Sequence, residues 1–133
     1  MAIPILKQGD VLIACLQTAP TDQDLIQLKD ELAEKIGKLR SRGVVIDVSV
    51  LDVMDSFATR TLRGIAQATR LRGADTVIVG IQPDVAFAMV RLGLTLDGIA
   101  TALDLEEGFE RLRPALSRAS PRGDATDEAT RGP

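Results

Sequence analysis

Two nearly continuous runs of β-branched residues, Val44-Val45-Ile46-Asp47-Val48 and Thr76-Val77-Ile78-Val79, constrain this chain more than any other feature. A strand with one wet face alternates apolar and polar residues, whereas an unbroken apolar run expects helices over both faces of its sheet. Between the runs, Ser56–Leu71 sets Ala58, Leu62, Ile65 and Thr69 on one side and Arg60, Arg63, Gln67 and Arg70 on the other. That spacing predicts an amphipathic helix crossing over between two parallel strands, a βαβ unit.

The rest of the chain extends this unit. Residues 3–7 and 11–16 are short apolar stretches around Gln8-Gly9-Asp10, which predicts an antiparallel hairpin. Over residues 22–42, Leu25, Leu28, Leu32, Ile36 and Leu39 recur at three- and four-residue steps, one apolar stripe of a helix. Asp22 and Asp24 near its start and Lys38, Arg40 and Arg42 near its end suit the helix dipole, and Gly43 reads as the stop. Gln82-Pro83 begins another helix, with Val85, Ala88, Met89 and Leu92 on one face and Gly93 after it. Residues 99–103 read as a short strand. A last helix starts at Asp104, with Glu107 as its capping-box partner, and buries Leu105, Phe109, Leu112 and Leu116; Pro114 is expected to kink or fray its end. Residues 117–133 contain no Leu, Ile, Val or Phe and read as a disordered tail whose charges cancel.

Composition narrows the chemistry. At 133 residues the chain fits one domain, and no apolar run reaches the length of a membrane span. The first seven residues lack the pattern of a secretory signal, so a cytoplasmic location is expected. There is no histidine and Cys15 is the sole cysteine, which excludes Ser-His-Asp and Cys-His catalysis, the usual zinc sites and an internal disulfide. The formal net charge is -3, yet Arg60, Arg63, Arg70 and Arg72 follow one another with no acid before Asp75. With no Trp or Tyr for base stacking and no binding motif, nucleic acid is not the expected partner of this basic stretch.

Hydroxyls and carboxylates gather only in Asp47-Val48-Ser49-Val50-Leu51-Asp52-Val53-Met54-Asp55-Ser56, running from the carboxyl end of a central strand into a helix start. Loops at that end of a parallel sheet are where open α/β domains bind ligands and partners. The stretch admits three readings. Ser56 is simply a helix N-cap or first-turn residue, with Asp52 and Asp55 keeping the loop soluble. Alternatively Asp47, Asp52 and Asp55 serve a Mg²⁺-dependent phosphotransfer or hydrolytic enzyme, although the acidic pair and late lysine of a receiver domain and a phosphate-cradling glycine loop are all missing. Or Ser56 is a phosphorylation switch on a protein-binding surface, where phosphate adds about -1.5 to -2 charges beside Asp52 and Asp55 and one turn before Arg60.

The run Val44-Val45-Ile46-Asp47-Val48 followed by Met54-Asp55-Ser56 resembles the STAS domain, the family of anti-sigma-factor antagonists. Ile3-Pro4-Ile5-Leu6-Lys7, Asp55-Ser56-Phe57, Gly80-Ile81-Gln82-Pro83 and Thr101-Ala102-Leu103-Asp104-Leu105-Glu106, in that order, are similar to the RsbS-type branch, the small scaffold proteins of the bacterial stressosome. The resemblance implies a single α/β STAS domain over residues 1–116, a mixed four- to five-stranded sheet packed with about four helices, and a tail over 117–133. It implies a non-enzymatic, cofactor-free scaffold and negative regulator of stress signalling. Such a scaffold joins RsbR-type STAS paralogues and further copies of itself in a large assembly. It sequesters a serine/threonine switch kinase of the RsbT type and releases it when phosphorylated on Ser56; a phosphatase resets the state. Thr59 is a second candidate acceptor, and Asp52, Asp55, Ser56, Phe57, Thr59, Arg60 and Arg63 form the expected partner surface. The alternative within the family is a simple antagonist of one anti-sigma kinase. Such antagonists often carry glycine two residues after the acceptor and leucine next, places held here by Ala58 and Thr59. The lost glycine favours the scaffold.

Overall fold

The computed structural model describes residues 3–17 and 19–117. Of the expected tail, residues 117–133, Ser117 instead closes the last helix, and residues 118–133 lie outside the described residues. Strands β1 (Ile5–Gln8) and β2 (Val11–Cys15) form the hairpin, and then helices and strands alternate. They are α1 (Asp22–Leu39), β3 (Gly43–Asp47), α2 (Ser56–Leu71), β4 (Asp75–Val79), α3 (Pro83–Arg91), β5 (Ala100–Ala102) and α4 (Leu105–Ser117). One sheet runs in the order β1-β2-β3-β4-β5, with β1 antiparallel to β2 and every other pair parallel. The expected mixed sheet, hairpin and βαβ unit are all present. Among the described residues no helix is long and apolar enough to cross a membrane.

The unbroken apolar runs are explained by two separate cores. Leu12, Ala14, Val44, Ile46 and Ile78 share one cluster with Leu28, Leu32 and Ile36 of α1, Leu62 and Ile65 of α2, and Val85 and Met89 of α3. Val11, Ile13, Val45, Val77 and Val79 point the other way and meet Leu112 of α4, with Phe109 and Leu116 packed at its margin. Successive strand residues thus belong to opposite clusters, as the two-residue period of a strand requires. Inside the first cluster's edge, the buried Thr69 and Thr76 hydroxyls lie 2.7 Å apart and bind α2 to β4.

Several boundaries and faces differ from the expectation. Helix α1 begins with a capping box, in which Asp24 N donates to Thr21 Oγ1 and Thr21 N donates to Asp24 Oδ2. The bond from the Thr21 backbone holds the Asp24 carboxyl below the usual carboxylate range. The helix ends at Leu39, not at residue 42, because Arg40 takes a left-handed conformation and returns its N–H to the Ile36 carbonyl. Gly43 is not the helix stop: it opens β3 where a Cβ would stand 2.9 Å from Leu112 Cδ1, so its missing side chain admits α4. Leu39 is 42% exposed and Leu105 is 38% exposed, each at a helix end, and Ala88 on α3 and Leu92 just past it are exposed as well. On α2 the buried face includes Thr59 and Ala66, with Ala58 only half-buried. Pro114 does not end α4, which continues to Ser117; the carbonyl it leaves without an amide partner belongs to Glu110, on the exposed side.

Helix α4 sits close because Gly108 faces β4, where a Cβ would lie 2.7 Å from Val79 Cγ1. Valine is stiff at that bond and its strand is central, so the contact has little room to relax. Gly108→Ala is expected to lower stability by about 1–3 kcal/mol despite alanine's better helix propensity. A urea unfolding curve checks this, with a lower midpoint at unchanged slope as the expected result.

Candidate functional site

The chain leaves β3 at Asp47 and enters α2 at Ser56, and the connection between them is held down at both ends. Val48 N donates to the Val79 carbonyl of β4, and Leu51 N turns back to the Val48 carbonyl. Leu51 and Met54 are buried in the first core, whereas Asp52, Val53 and Asp55 stand in solvent, Val53 at 72% exposure. Spacing two apolar anchors three residues apart presents the intervening residues outward.

Polar contacts fix the same loop from the neighbouring strand ends. Asp47 Oδ1 accepts from Ser49 N at 2.9 Å, and Gln82 Nε2 at the start of α3 donates to the Ser49 carbonyl at 2.7 Å. Gly80, at φ 81°, makes the approach feasible: a Cβ there would stand 2.8 Å from Ser49 Cβ and 3.2 Å from Asp47 Oδ1. The loop is therefore pinned to β3, to β4 and to the entry of α3.

At the helix start the cap is Asp55, whose Oδ1 accepts from Ala58 N at 2.8 Å. Ser56 takes the first helical position and is exposed. Phe57 is half-buried. Thr59 departs from the expected surface: it is fully buried, and its hydroxyl donates to the Asp55 carbonyl at 2.9 Å, which makes it part of the core and of the helix start. Arg63 departs as well. Its Nη1 donates to the Thr95 carbonyl at 3.2 Å, and Arg70 Nη2 donates to the Gly98 carbonyl at 2.9 Å, so both guanidiniums bind the connection between α3 and β5 to α2. Arg60 is exposed. Asp52, Asp55, Ser56 and Arg60 are thus all exposed, whereas Thr59 is buried and Arg63 is half-buried against the Thr95 carbonyl.

The three aspartates of the metal-dependent reading are not brought together. Asp47 and Asp55 each spend an oxygen on a backbone amide, and among the described residues no group of three acidic or cysteine side chains is placed to hold a metal ion. Cys15, the end of β2, lies in register with Asp47 of β3. Burial, reinforced by the Asp47 carboxylate, pushes its thiol above the usual range. The contributions of Gln82, Arg63 and Arg70 escaped the sequence reading, since each reaches a backbone carbonyl roughly thirty residues away that no local pattern marks.

The STAS domain family profile matches residues 6–108, and the chain belongs to that family. Within it, the likeness is to stressosome-type and RsbT co-antagonist proteins. A solved structure of a serine-to-glutamate variant of Moorella thermoacetica RsbS is 39% identical, with a TM-score of 0.73, covering 87% of this chain and 98% of that one. A chain from a structure of the stressosome, described as a signal integration and transduction hub, is 37% identical with a TM-score of 0.67, covering 86% of this chain and 100% of its own. RsbT co-antagonist protein RsbRA of Bacillus subtilis (strain 168) is 30% identical over 84 residues, 63% of this chain. The chain spans only 31% of the length of that relative.

Two outcomes follow from the geometry. Because Asp55 is the cap and Ser56 is not, Asp55→Ala is expected to lower stability by about 0.5–2 kcal/mol, whereas Ser56→Ala changes it by less than about 0.5 kcal/mol. Thermal unfolding followed by circular dichroism separates the two. The raised Cys15 pKa means that the folded state holds the thiol proton more tightly than the unfolded chain. Its stabilising effect is present below the ordinary thiol range and is lost as pH rises through the raised folded value. Alkylation of Cys15 by iodoacetamide should therefore be slow at pH 7 relative to a free thiol, and faster in Asp47→Asn, as read by intact mass against time.

Proposed function

We propose that this chain is the scaffold subunit of a stressosome-type assembly, a non-enzymatic negative regulator whose STAS domain, residues 1–116, holds a switch kinase of the RsbT type. Phosphorylation of Ser56 by that kinase releases it. RsbR-type paralogues and further copies of this chain complete the assembly, a phosphatase resets Ser56, and the whole operates in the cytoplasm.

The setting of Ser56 carries this reading. It is an exposed hydroxyl at the first position of α2, on a loop whose backbone is pinned from three sides. A kinase therefore meets an accessible acceptor on a surface that does not have to unfold. Among the four described helices, α2 alone has no acidic residue in its first turn: α1 has Asp22 and Asp24, α3 has Asp84, and α4 has Glu106 and Glu107. A phosphate on Ser56 stands at the amide end of the helix, beside the Asp55 cap and with no acid in the first turn to oppose it, so the domain tolerates the modification. The same phosphate stands one turn from Arg60, the cation this face exposes, and its negative potential weakens the hold on a partner whose acidic groups meet that arginine. The likeness to an RsbS variant in which a serine is replaced by glutamate, and to a protein named for co-antagonism of RsbT, supports the assignment of partner and switch.

Incubation with ATP and the purified switch kinase, followed by intact-mass and peptide-mapping spectrometry, is expected to show one phosphate on Ser56 and none in Ser56→Ala. Ser56→Asp is expected to weaken kinase binding at least tenfold, about 1.4 kcal/mol, in a titration. No phosphate on Ser56 from a kinase active on another substrate would sink the switch, and unchanged affinity of Ser56→Asp would sink release by charge.

A further inference from the structure

Taking Ser56 as the acceptor, we propose that Arg60 is the intramolecular partner of its phosphate, so that the modified domain carries a closed phosphoserine–arginine pair on α2. Ser56, Arg60, Arg63, Gln67 and Arg70 recur at alternating four- and three-residue steps and so share one face of α2. No Asp or Glu occurs from Ser56 to Leu71, so nothing within the helix competes for these guanidiniums.

Two of the three arginines are already engaged. Arg63 donates to the Thr95 carbonyl, with Thr95 Oγ1 also within 3.5 Å, and Arg70 donates to the Gly98 carbonyl. Arg60 is exposed, and among the described residues it makes no hydrogen bond or ion pair. It stands one turn beyond Ser56, about 6 Å along the axis, whereas Arg63 stands two turns away at about 10 Å. Helical side chains leave the axis leaning toward the N-terminus, so the turn that carries Ser56 lies within the natural reach of the Arg60 side chain. An acid placed four residues before a base is also the favoured order on a helix. Phosphate offers the oxygens and guanidinium the forked donors of a bidentate pair.

Closure of this pair changes the partner surface in two ways at once. It installs phosphate oxygens at Ser56 and withdraws Arg60, the cation that the unmodified surface presents beside them. Its net charge is then about one unit less negative than that of the bare phosphate, which lets the domain keep its fold through the modification.

The test uses the full chain with phosphoserine genetically encoded at position 56, so that it does not depend on any kinase. Titration by ³¹P NMR is expected to give a second phosphate pKa roughly half a unit below that of a phosphoserine peptide, which lies at about 6. In Arg60→Ala and Arg60→Gln it should rise above the parent value, keeping only what the helix start contributes, while Arg63→Ala should leave it at the parent value. Far-ultraviolet circular dichroism of each variant confirms that the fold is intact. A value equal in the parent and in both Arg60 variants overturns the pair, and a rise in Arg63→Ala alone overturns it in favour of Arg63. Failure of the kinase to modify Ser56 is a separate result, which removes the switch but does not touch this geometry.

Discussion

Strands β3 and β4 are covered on both faces, and the rest of the structure follows from that cover. Val45 and Val77 face α4 while Ile46 and Ile78 face the opposite helices, so neither side can be left to water. Three helices supply one face and a single helix the other, and the single helix must come close. Gly43 and Gly108 permit this, each at a point where a Cβ would collide with a side chain from the opposing layer. A rigid, doubly covered ladder then holds its carboxyl end steady, and the connection from Asp47 to Ser56 inherits that rigidity.

The loop combines a fixed backbone with an exposed surface. Buried Leu51 and Met54 stabilise it from below, Asp47 and Gln82 hold Ser49 from either side, and Asp55 finishes the helix start. The residues between the anchors are left in solvent without being left loose. For the proposed switch, this arrangement means that a partner recognises the surface as built, and a charge added there changes its electrostatics without rebuilding it.

Much of this was legible in the chain. The β-branched runs and the amphipathic segment between them predicted the βαβ unit, and the hairpin, the four helices and the short last strand were found at the expected places. The capping signal Asp104 with Glu107 also holds in part, since Glu107 N donates to Asp104 Oδ1. Errors cluster where two local rules competed. Gly43 reads equally as a helix stop or as a gap for a neighbour, and only the position of Leu112 decides. Ser56 was left open as cap or first-turn residue, and the backbone entering α2 gives the cap to Asp55 and the first turn to Ser56. Leu39 and Leu105 fit their stripes by spacing, but each lies at a helix end, where the stripe runs past the surface it packs on.

The sequence by itself determined the elements, their order and the stretch that forms the site, because periodicity, caps and turns depend on neighbours a few residues away. The tertiary structure alone decided what each side chain at the site is free to do. Thr59 became core, Arg63 and Arg70 were spent on carbonyls 32 and 28 residues distant, and Gln82 was drawn to Ser49 across 33 residues. Those bonds depend on how helices and strand ends meet in space, which the local pattern does not encode. They left Ser56 and Arg60 together in solvent, one turn apart on the same helix.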